Sequence, residues 1–498
     1  MQQLCVNELP SKSPVVVIGA GPAGLTAAFE LAKAGHAPLV IEASSCLGGI
    51  SRTHVWDGNR IDIGGHRFFT KVEPVKQLWL EMMDEPMLKV PRMSRIFYGD
   101  KYYDYPLRIS NTLRNLGVYE SFLTLCSYLR ARLRPLKPEN SLQDWVINRF
   151  GDRLYRTFFK TYTEKVWGIP CTEIRADWAA QRIQGLSLFS AVLNALRNNG
   201  NVKSLITTFD YPRLGPGMLW ESAARKIAAM GGQIVHQTRV TRIHHANGKV
   251  TSLEVEQGGS VHSILADQVI STMPLSTLVK SLSPTVPATV RDAAAGLKYR
   301  DFLIVALSCR VKDIFPDNWI YIHSSQVRVG RIQNFRNWSA EMVAPGNGTT
   351  LGMEYFCSRG DDLWTMADAD LIALAKRELA SLGLVDISDL GTGHVIRELN
   401  AYPVYDADYM AHVLTLKDHL KGYANLQSVG RNGMHRYNNQ DHSMLAGQHA
   451  ALRLLGRLDL DPWEVNTERS YHEEQVIAPG EKSTSGAGVF GDSRASTA

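Results

Sequence analysis

The segment "SPVVVIGAGPAGLTAAFELAKAGHAPLVIEAS", residues 13–44, limits the possible folds more than any other stretch. Val15 to Ile18 are a continuous apolar, β-branched run, the pattern of a parallel strand buried on both faces. Gly19, Gly21 and Gly24 follow as GxGxxG with Ala23 between the last two, then the helix-forming "LTAAFELAKAG" runs to Gly35. "APLVIEAS" reads as a second strand closing on Glu42. Gly19 permits a tight turn, Gly21 lets the backbone approach a pyrophosphate, and Gly24 lets helix and strand pack closely. The free N–H groups of the helix start face the phosphates, and Glu42 is placed to accept from ribose hydroxyls. An acid at that position disfavours a 2′-phosphate. The expectation is a dinucleotide site in an α/β, Rossmann-type domain.

The 498 residues exceed one ordinary core, so at least two domains are expected. A net charge of +5, without a long basic run, argues against nucleic acid as a partner. The six cysteines contain no CxxC pair, which disfavours a disulfide framework or a cysteine zinc site and fits a reducing compartment. No metal site is read. No stretch of eighteen apolar residues appears, and "MQQLCVNELPSKS" is too polar for a secretory signal, so a cytoplasmic protein without an integral membrane segment is expected.

Downstream, "SSCLGGISRTHVWDGNRIDIGGHRFFTK" adds the glycine pair Gly48-Gly49 with Arg52 and Thr53. "THVWDGNRIDIGG" reads as a hairpin turning at Asp57-Gly58. Near the far end, "LQSVG" is a strand. It leads through Gly430, Arg431 and Asn439 into a helix from about Ser443, with Asp441 or Ser443 as the cap. Such a helix start would aim its positive end at a bound anion.

Residues 76–205 show apolar spacings of three and four and few β-branched runs, so a helical insert is expected there. "QIVHQTRVTRIHH" and "VTSLEVEQ" are strands flanking Asn247-Gly248, and "YRDFLIVALSCRV" is a long strand. The expected partition gives 11–75, 206–285 and 421–460 to a discontinuous nucleotide domain. It gives 76–205 and 286–420 to a mixed α+β substrate domain, and 475–498 to a flexible tail. Phe158, Phe159, Tyr162 and Trp167 form an aromatic stripe at helical spacing, a pattern that usually belongs to a core.

The Gly48-Gly49–Arg52–Thr53 extension resembles that of large flavoproteins: flavin amine oxidases, protoporphyrinogen oxidase and UDP-galactopyranose mutases. The resemblance implies FAD rather than NAD, held by Gly19, Gly21, Ala23, Gly24, Glu42, Gly49, Arg52, Gly64, Gly65, His66, Gly430, Asn439, Asp441 and Ser443. Four ordered segments resemble the mutases: "GGHRFFTK" (64–71), "RLYRTFFKTYTEKVWGIPCTEIRADW" (153–178), "NAYPVYD" (400–406) and "VGRNGMHRYNNQDHS" (429–443). Through them the resemblance implies a small-molecule substrate, a sugar diphosphate, bound by Phe159, Tyr162, Trp167, Arg182, Tyr402 and Tyr437. It assigns His66, Arg182, Arg431 and Tyr437 to catalysis, on a reduced flavin, with NAD(P)H as a candidate external reductant. The chain departs from the mutase pattern at Arg67, Asn439, His435 and Arg436. Net oxidation of a C–H bond beside a heteroatom is the alternative, and a non-catalytic flavin-binding module is a third reading.

Overall fold

The structure, a computed structural model, describes residues 9–176, 203–466 and 474–476. Lys12–Ile18 lies at the centre of an eight-stranded sheet. Its parallel part runs in the order Gln233–Val235, Leu39–Ile41, Lys12–Ile18, the second half of Ser260–Ser271, then Leu426–Ser428. The first half of Ser260–Ser271 continues as an antiparallel meander with Lys249–Gln257 and Thr238–Ala246. Asn247 (φ +50°) and Gly248 (φ +71°) make the connecting turn, as that dipeptide favours. The parallel strands are buried throughout from Val15 to Ile18 and from Leu39 to Ile41, because helices cover both faces. Pro22–Lys33 packs against Gln440–Leu454 so closely that a side chain at Gly447 would strike the Ala23 carbonyl, at 2.1 Å.

A second, seven-stranded sheet runs Leu390–Pro403, Tyr299–Cys309, Thr349–Cys357, Arg331–Asn334, Trp319–Ile322, Ser94–Tyr98 and Lys101–Asp104. Thr349–Cys357 is buried at every position, as a central strand covered on both faces must be. Leu371, Ala375 and Leu379 of Asp368–Ser381 cover one face beside Leu351, Met353 and Tyr355. On the other face, Ile304 and Phe356 join an aromatic core with Trp145, Phe158, Trp167 and Tyr402.

Three expectations change here. The 76–205 region is not purely helical: Leu88–Pro91, Ser94–Tyr98 and Lys101–Asp104 are strands. Ser94–Tyr98 pairs in parallel with Trp319–Ile322, and Leu88–Pro91 pairs with Thr208–Tyr211. Leu88–Pro91 and Ser94–Tyr98 are stabilised by partners more than a hundred residues away, which local periodicity does not register. The late helix begins at Gln440 rather than Ser443, with Asn439 at its N-cap, so Asp441 and Ser443 are buried within the first turn. There the Asn439 N–H donates to His442 Nδ1 at 3.2 Å. Glu474–Val476 pairs with Lys203–Leu205, so the segment expected to be loose from residue 475 opens in a strand. Its remainder, residues 477–498, lies outside the described residues, as do Arg182 and the expected helix over 177–199.

Candidate flavin and substrate site

Two glycine turns face each other at the C-terminal edge of the parallel strands. Gly19 has φ +96°, and a side chain there would meet Thr272 Oγ1 at 2.2 Å. A Cβ on Gly24 would lie 1.9 Å from the Gly19 carbonyl. Gly21 caps the helix Pro22–Lys33, and a Cβ built on Gly49 would lie 3.3 Å from its Cα. The turns are tied by the Gly48 N–H donating to the Ala20 carbonyl at 2.8 Å. Glu42 accepts from the Ala20 N–H at 2.8 Å and from the Ser44 N–H at 2.7 Å, which fixes its carboxylate at the strand end.

Trp220 Nε1 donates to Ser51 Oγ at 3.1 Å, and Ser51 Oγ donates to Gln440 Oε1 at 2.8 Å. This chain joins the second glycine turn to the start of the late helix, and it leaves Gln440 Nε2 buried without a partner among the described residues. On the other wall Gly430 (φ +84°) approaches Ala23, where a Cβ would sit 2.9 Å from the alanine methyl. Arg52 donates to the Gly49 carbonyl at 2.9 Å and pairs with Glu398 at 2.5 Å, bridging the turn to the edge of the second sheet.

The hairpin Thr53–Trp56 and Asn59–Asp62 leads to Gly64. Asp62 is buried and accepts from Thr53 Oγ1 at 2.9 Å and from the Tyr211 hydroxyl. Burial pushes its carboxyl up to about 7, against those two hydrogen bonds. Gly64 has φ +95°, and a side chain at Gly65 would meet Trp338 at 3.3 Å. His66 Nδ1 lies 3.2 Å from the Gly64 carbonyl. A carbonyl only accepts, so Nδ1 carries the proton and Nε2 keeps its lone pair. Burial, then Arg431, pulls the imidazole down to about 3, with Arg331 and Arg52 acting in the same direction. His66 is therefore neutral at working pH. Its neighbour Arg67 stacks on Trp319, 4.8 Å from the ring centroid.

Beyond His66 the second sheet supplies a charged aromatic box. Arg331 is largely buried, and its Nη2 would lie 3.6 Å from a Cβ on Gly64. Its Nε and Nη2 both reach Glu354 Oε2 at 2.5 Å. Gln333 Nε2 donates to the other Glu354 oxygen at 2.6 Å, while Gln333 Oε1 faces Gly65 with no partner among the described residues. Burial raises Glu354, but the two-pronged contact with Arg331 is that of a carboxylate with a guanidinium. Tyr162 stacks on His323 (4.9 Å, 5°) and meets Tyr321 edge-on. Tyr402 stacks on Tyr437 (5.7 Å, 20°), and Arg431 lies over both rings, 5.0 and 4.1 Å from their centroids. Trp167 closes the box against Tyr405 and Tyr437. Burial holds the Tyr162 and Tyr402 phenols above their ordinary values, so both remain hydroxyl donors.

Tyr162, Trp167, Tyr402, Arg431 and Tyr437 thus converge, with His66 at the junction of box and crevice. Phe159 does not join them; its ring stacks on Phe150 at 5.4 Å. The π-helical stretch Tyr155–Lys160 sets this rotation, a local winding that helical spacing cannot foresee. Sequence reading missed Arg331, Glu354, Gln333, Tyr321 and His323. One signal was available: Glu354 interrupts the strand "TTLGMEYFC", where a lone acid in an apolar run requires a buried partner.

Crevice and box together suit a flavin-dependent enzyme. The chain belongs to the flavin containing amine oxidoreductase family, whose profile matches residues 22–411. It is 41% identical over 86 residues, 17% of this chain, to the 15-cis-phytoene desaturase of Arabidopsis thaliana. It is 24% identical over 299 residues, 53% of the chain, to the phytoene desaturase (lycopene-forming) of Paracoccus sp.. Those alignments span 15% and 55% of the relatives' own lengths. A crystal structure of reduced UDP-galactopyranose mutase superposes with TM-score 0.79 at 21% identity, covering 92% of this chain and 100% of that one. A putative protoporphyrinogen oxidase from Exiguobacterium superposes with TM-score 0.67 at 15% identity, covering 91% and 100%. These likenesses show the fold. The cofactor is FAD, and the crevice suits it: facing glycines admit a backbone-hugging pyrophosphate, and Gln440 Nε2 and Gln333 Oε1 await partners.

Proposed function

We propose that this flavoenzyme acts on an activated sugar carrying a diphosphate, as a redox-neutral ring isomerase working with reduced FAD. The observation that supports this most is Arg431, which lies over Tyr402 and Tyr437 and donates to the Ala401 and Asn438 carbonyls, with no carboxylate within 4 Å among the described residues. Such a cation repels a cationic amine and gains nothing from a hydrocarbon, whereas two phosphates engage it directly. Arg182 is proposed as a further phosphate contact.

In this reading Gly19, Gly21, Ala23, Gly24 and Glu42 hold the dinucleotide, with Gly49 and Arg52 on the opposite lip. Gly64, Gly65 and His66 hold the isoalloxazine side, and Gly430, Asn439, Asp441 and Ser443 close the far wall. When bound and reduced, the flavin supplies a nucleophile at the anomeric carbon. Arg431 carries the negative charge that grows on the diphosphate as it leaves. Tyr402 and Tyr437 donate to its oxygens and hold it for the return step. Neutral His66 offers Nε2 as an acceptor for an N–H or O–H at the reacting edge. Trp167 and Tyr162 flank the sugar and the base. The two sheets mark the proposed nucleotide and substrate domains, and NAD(P)H is the proposed reductant.

The test begins with protein whose bound FAD is verified by its spectrum and reduced anaerobically with dithionite. Incubation with a panel of nucleotide hexoses is expected to give pyranose–furanose interconversion on chromatography. Substrate-dependent bleaching of the oxidised flavin, without ring isomerisation, would overturn the reading in favour of net dehydrogenation.

A further inference from the structure

The helix Ile109–Leu133 is broken at Gly117 (φ +81°, ψ 170°), and its second part presents a continuous apolar stripe to solvent. Val118 (90% exposed), Phe122 (62%), Leu125 (54%), Leu129 (50%) and Leu133 (82%) fall at spacings of four, three, four and four. At 100° per residue they span about 80° of the helix surface. Tyr119, 73% exposed, lies at the margin of the stripe. The opposite side is the packed one: Glu120 is held by Arg153 at 2.8 Å, Ser127 accepts from the Arg153 N–H, and Ala131 is buried. Exposed large apolar residues are ordinary when scattered, but a stripe of this length is not.

The charge beside the stripe is mostly positive, although Arg108 pairs with Asp104 at 3.8 Å. Arg130 and Arg132 fall on its two sides, about 60° and 20° beyond its edges on the same wheel, and both are exposed. Exposed Arg108 and Arg114 lie at the helix start, and exposed Arg134 and Lys137 just past its end. From Arg108 to Lys137 there are six cations and a single carboxylate, Glu120, which Arg153 already holds. A second copy of the chain is a poor occupant. Pairing the stripes in parallel sets Arg130, Arg132 and Arg134 against themselves, and pairing them antiparallel sets Lys137 against Arg114 with Arg134 close by. An anionic surface with an apolar interior satisfies both features, with Tyr119 and Phe122 at the depth where aromatic rings settle.

We propose that the Val118–Leu133 stripe docks the protein in the plane of an anionic lipid bilayer, without spanning it. Leucine and phenylalanine side chains enter the boundary between headgroups and acyl chains, and the arginines engage lipid phosphates. Exposed Leu136 extends the apolar contact beyond the helix end.

Co-sedimentation of the full-length flavoprotein with phosphatidylcholine–phosphatidylglycerol vesicles, against phosphatidylcholine alone, tests this. The protein is expected to pellet with the anionic vesicles only, and progressively less as salt is added. The variant Phe122→Asp/Leu129→Asp is expected to stay in the supernatant with unchanged flavin spectrum and Tm, because both side chains are exposed. Arg130→Glu/Arg132→Glu should reduce partitioning roughly tenfold or more. Equal pelleting of wild type and the aspartate variant, or no pelleting of wild type, overturns the proposal. So does sedimentation velocity showing a dimer that the aspartate variant converts to monomer, which would assign the stripe to a second copy.

Discussion

The glycine crevice and the charged aromatic box lie side by side, yet they are assembled in opposite ways. Gly19, Gly21, Gly24 and Glu42 come from one stretch of chain, and their work is done by backbone: tight turns, close approaches and amide groups. The box takes Tyr162 from a helix, Arg331 and Glu354 from paired strands, Tyr402 from a third strand and Arg431 from the turn before the last helix. Its work is done by side chains whose charges and hydroxyls must be satisfied by one another. The crevice therefore tolerates no added atom at Gly19 or Gly24, whereas the box tolerates no missing partner.

The sharpest way to break this contrast is Gly24→Val. Its Cβ would fall 1.9 Å from the Gly19 carbonyl, with backbone on both sides of the clash. Loss of soluble, yellow protein is expected on purification. A folded variant with its flavin spectrum intact would show that the crevice can adjust. In the box, Glu354→Gln leaves the Arg331 charge buried without its carboxylate, and destabilisation of about 3–5 kcal/mol is expected in chemical denaturation. Replacing both partners with Arg331→Met/Glu354→Leu should recover much of that loss while abolishing turnover. No recovery would mean that the pair supports the fold in some other way.

A smaller effect is expected at Arg431. Arg431→Gln should retain FAD and weaken binding of a nucleoside diphosphate by about 1.5–3 kcal/mol, read by titration calorimetry. Unchanged affinity would remove Arg431 from the anion site. A pH-dependent effect is expected at Asp62 on the hairpin between the two regions. Its carboxyl binds a proton more tightly in the folded chain, about 7 against 3.8, so its contribution to stability is fully present below pH 4 and is lost as pH rises through 7. Asp62→Asn should flatten the corresponding slope of Tm over that window. An unchanged slope would place the titration elsewhere.

Legibility in the sequence followed the same division. The strand–turn–helix–strand of residues 13–44, the hairpin at Asp57-Gly58 and the turn at Asn247-Gly248 were readable because special φ values and close approaches select glycine or asparagine locally. Tyr162, Trp167, Tyr402 and Arg431 were found only through a resemblance in their surrounding motifs. Arg331 and Gln333, in the short strand "RIQN", lacked even that: nothing local separates them from surface residues until Thr349–Cys357 pairs alongside.

By itself, then, the sequence determined the dinucleotide crevice, the two-part α/β architecture and the set of aromatic residues available to a ligand. Tertiary structure decided which of those aromatics meet, turning Phe159 onto Phe150 and Tyr162 onto His323. It recruited the strands of 88–104 to distant partners and moved the late helix start to Gln440. It also set Arg331 against Glu354 beside Gly64. The physical reason is one of range. Backbone sterics act between neighbours in the chain and leave a local signature, whereas burial and charge pairing act through space and appear only when the sheets are assembled.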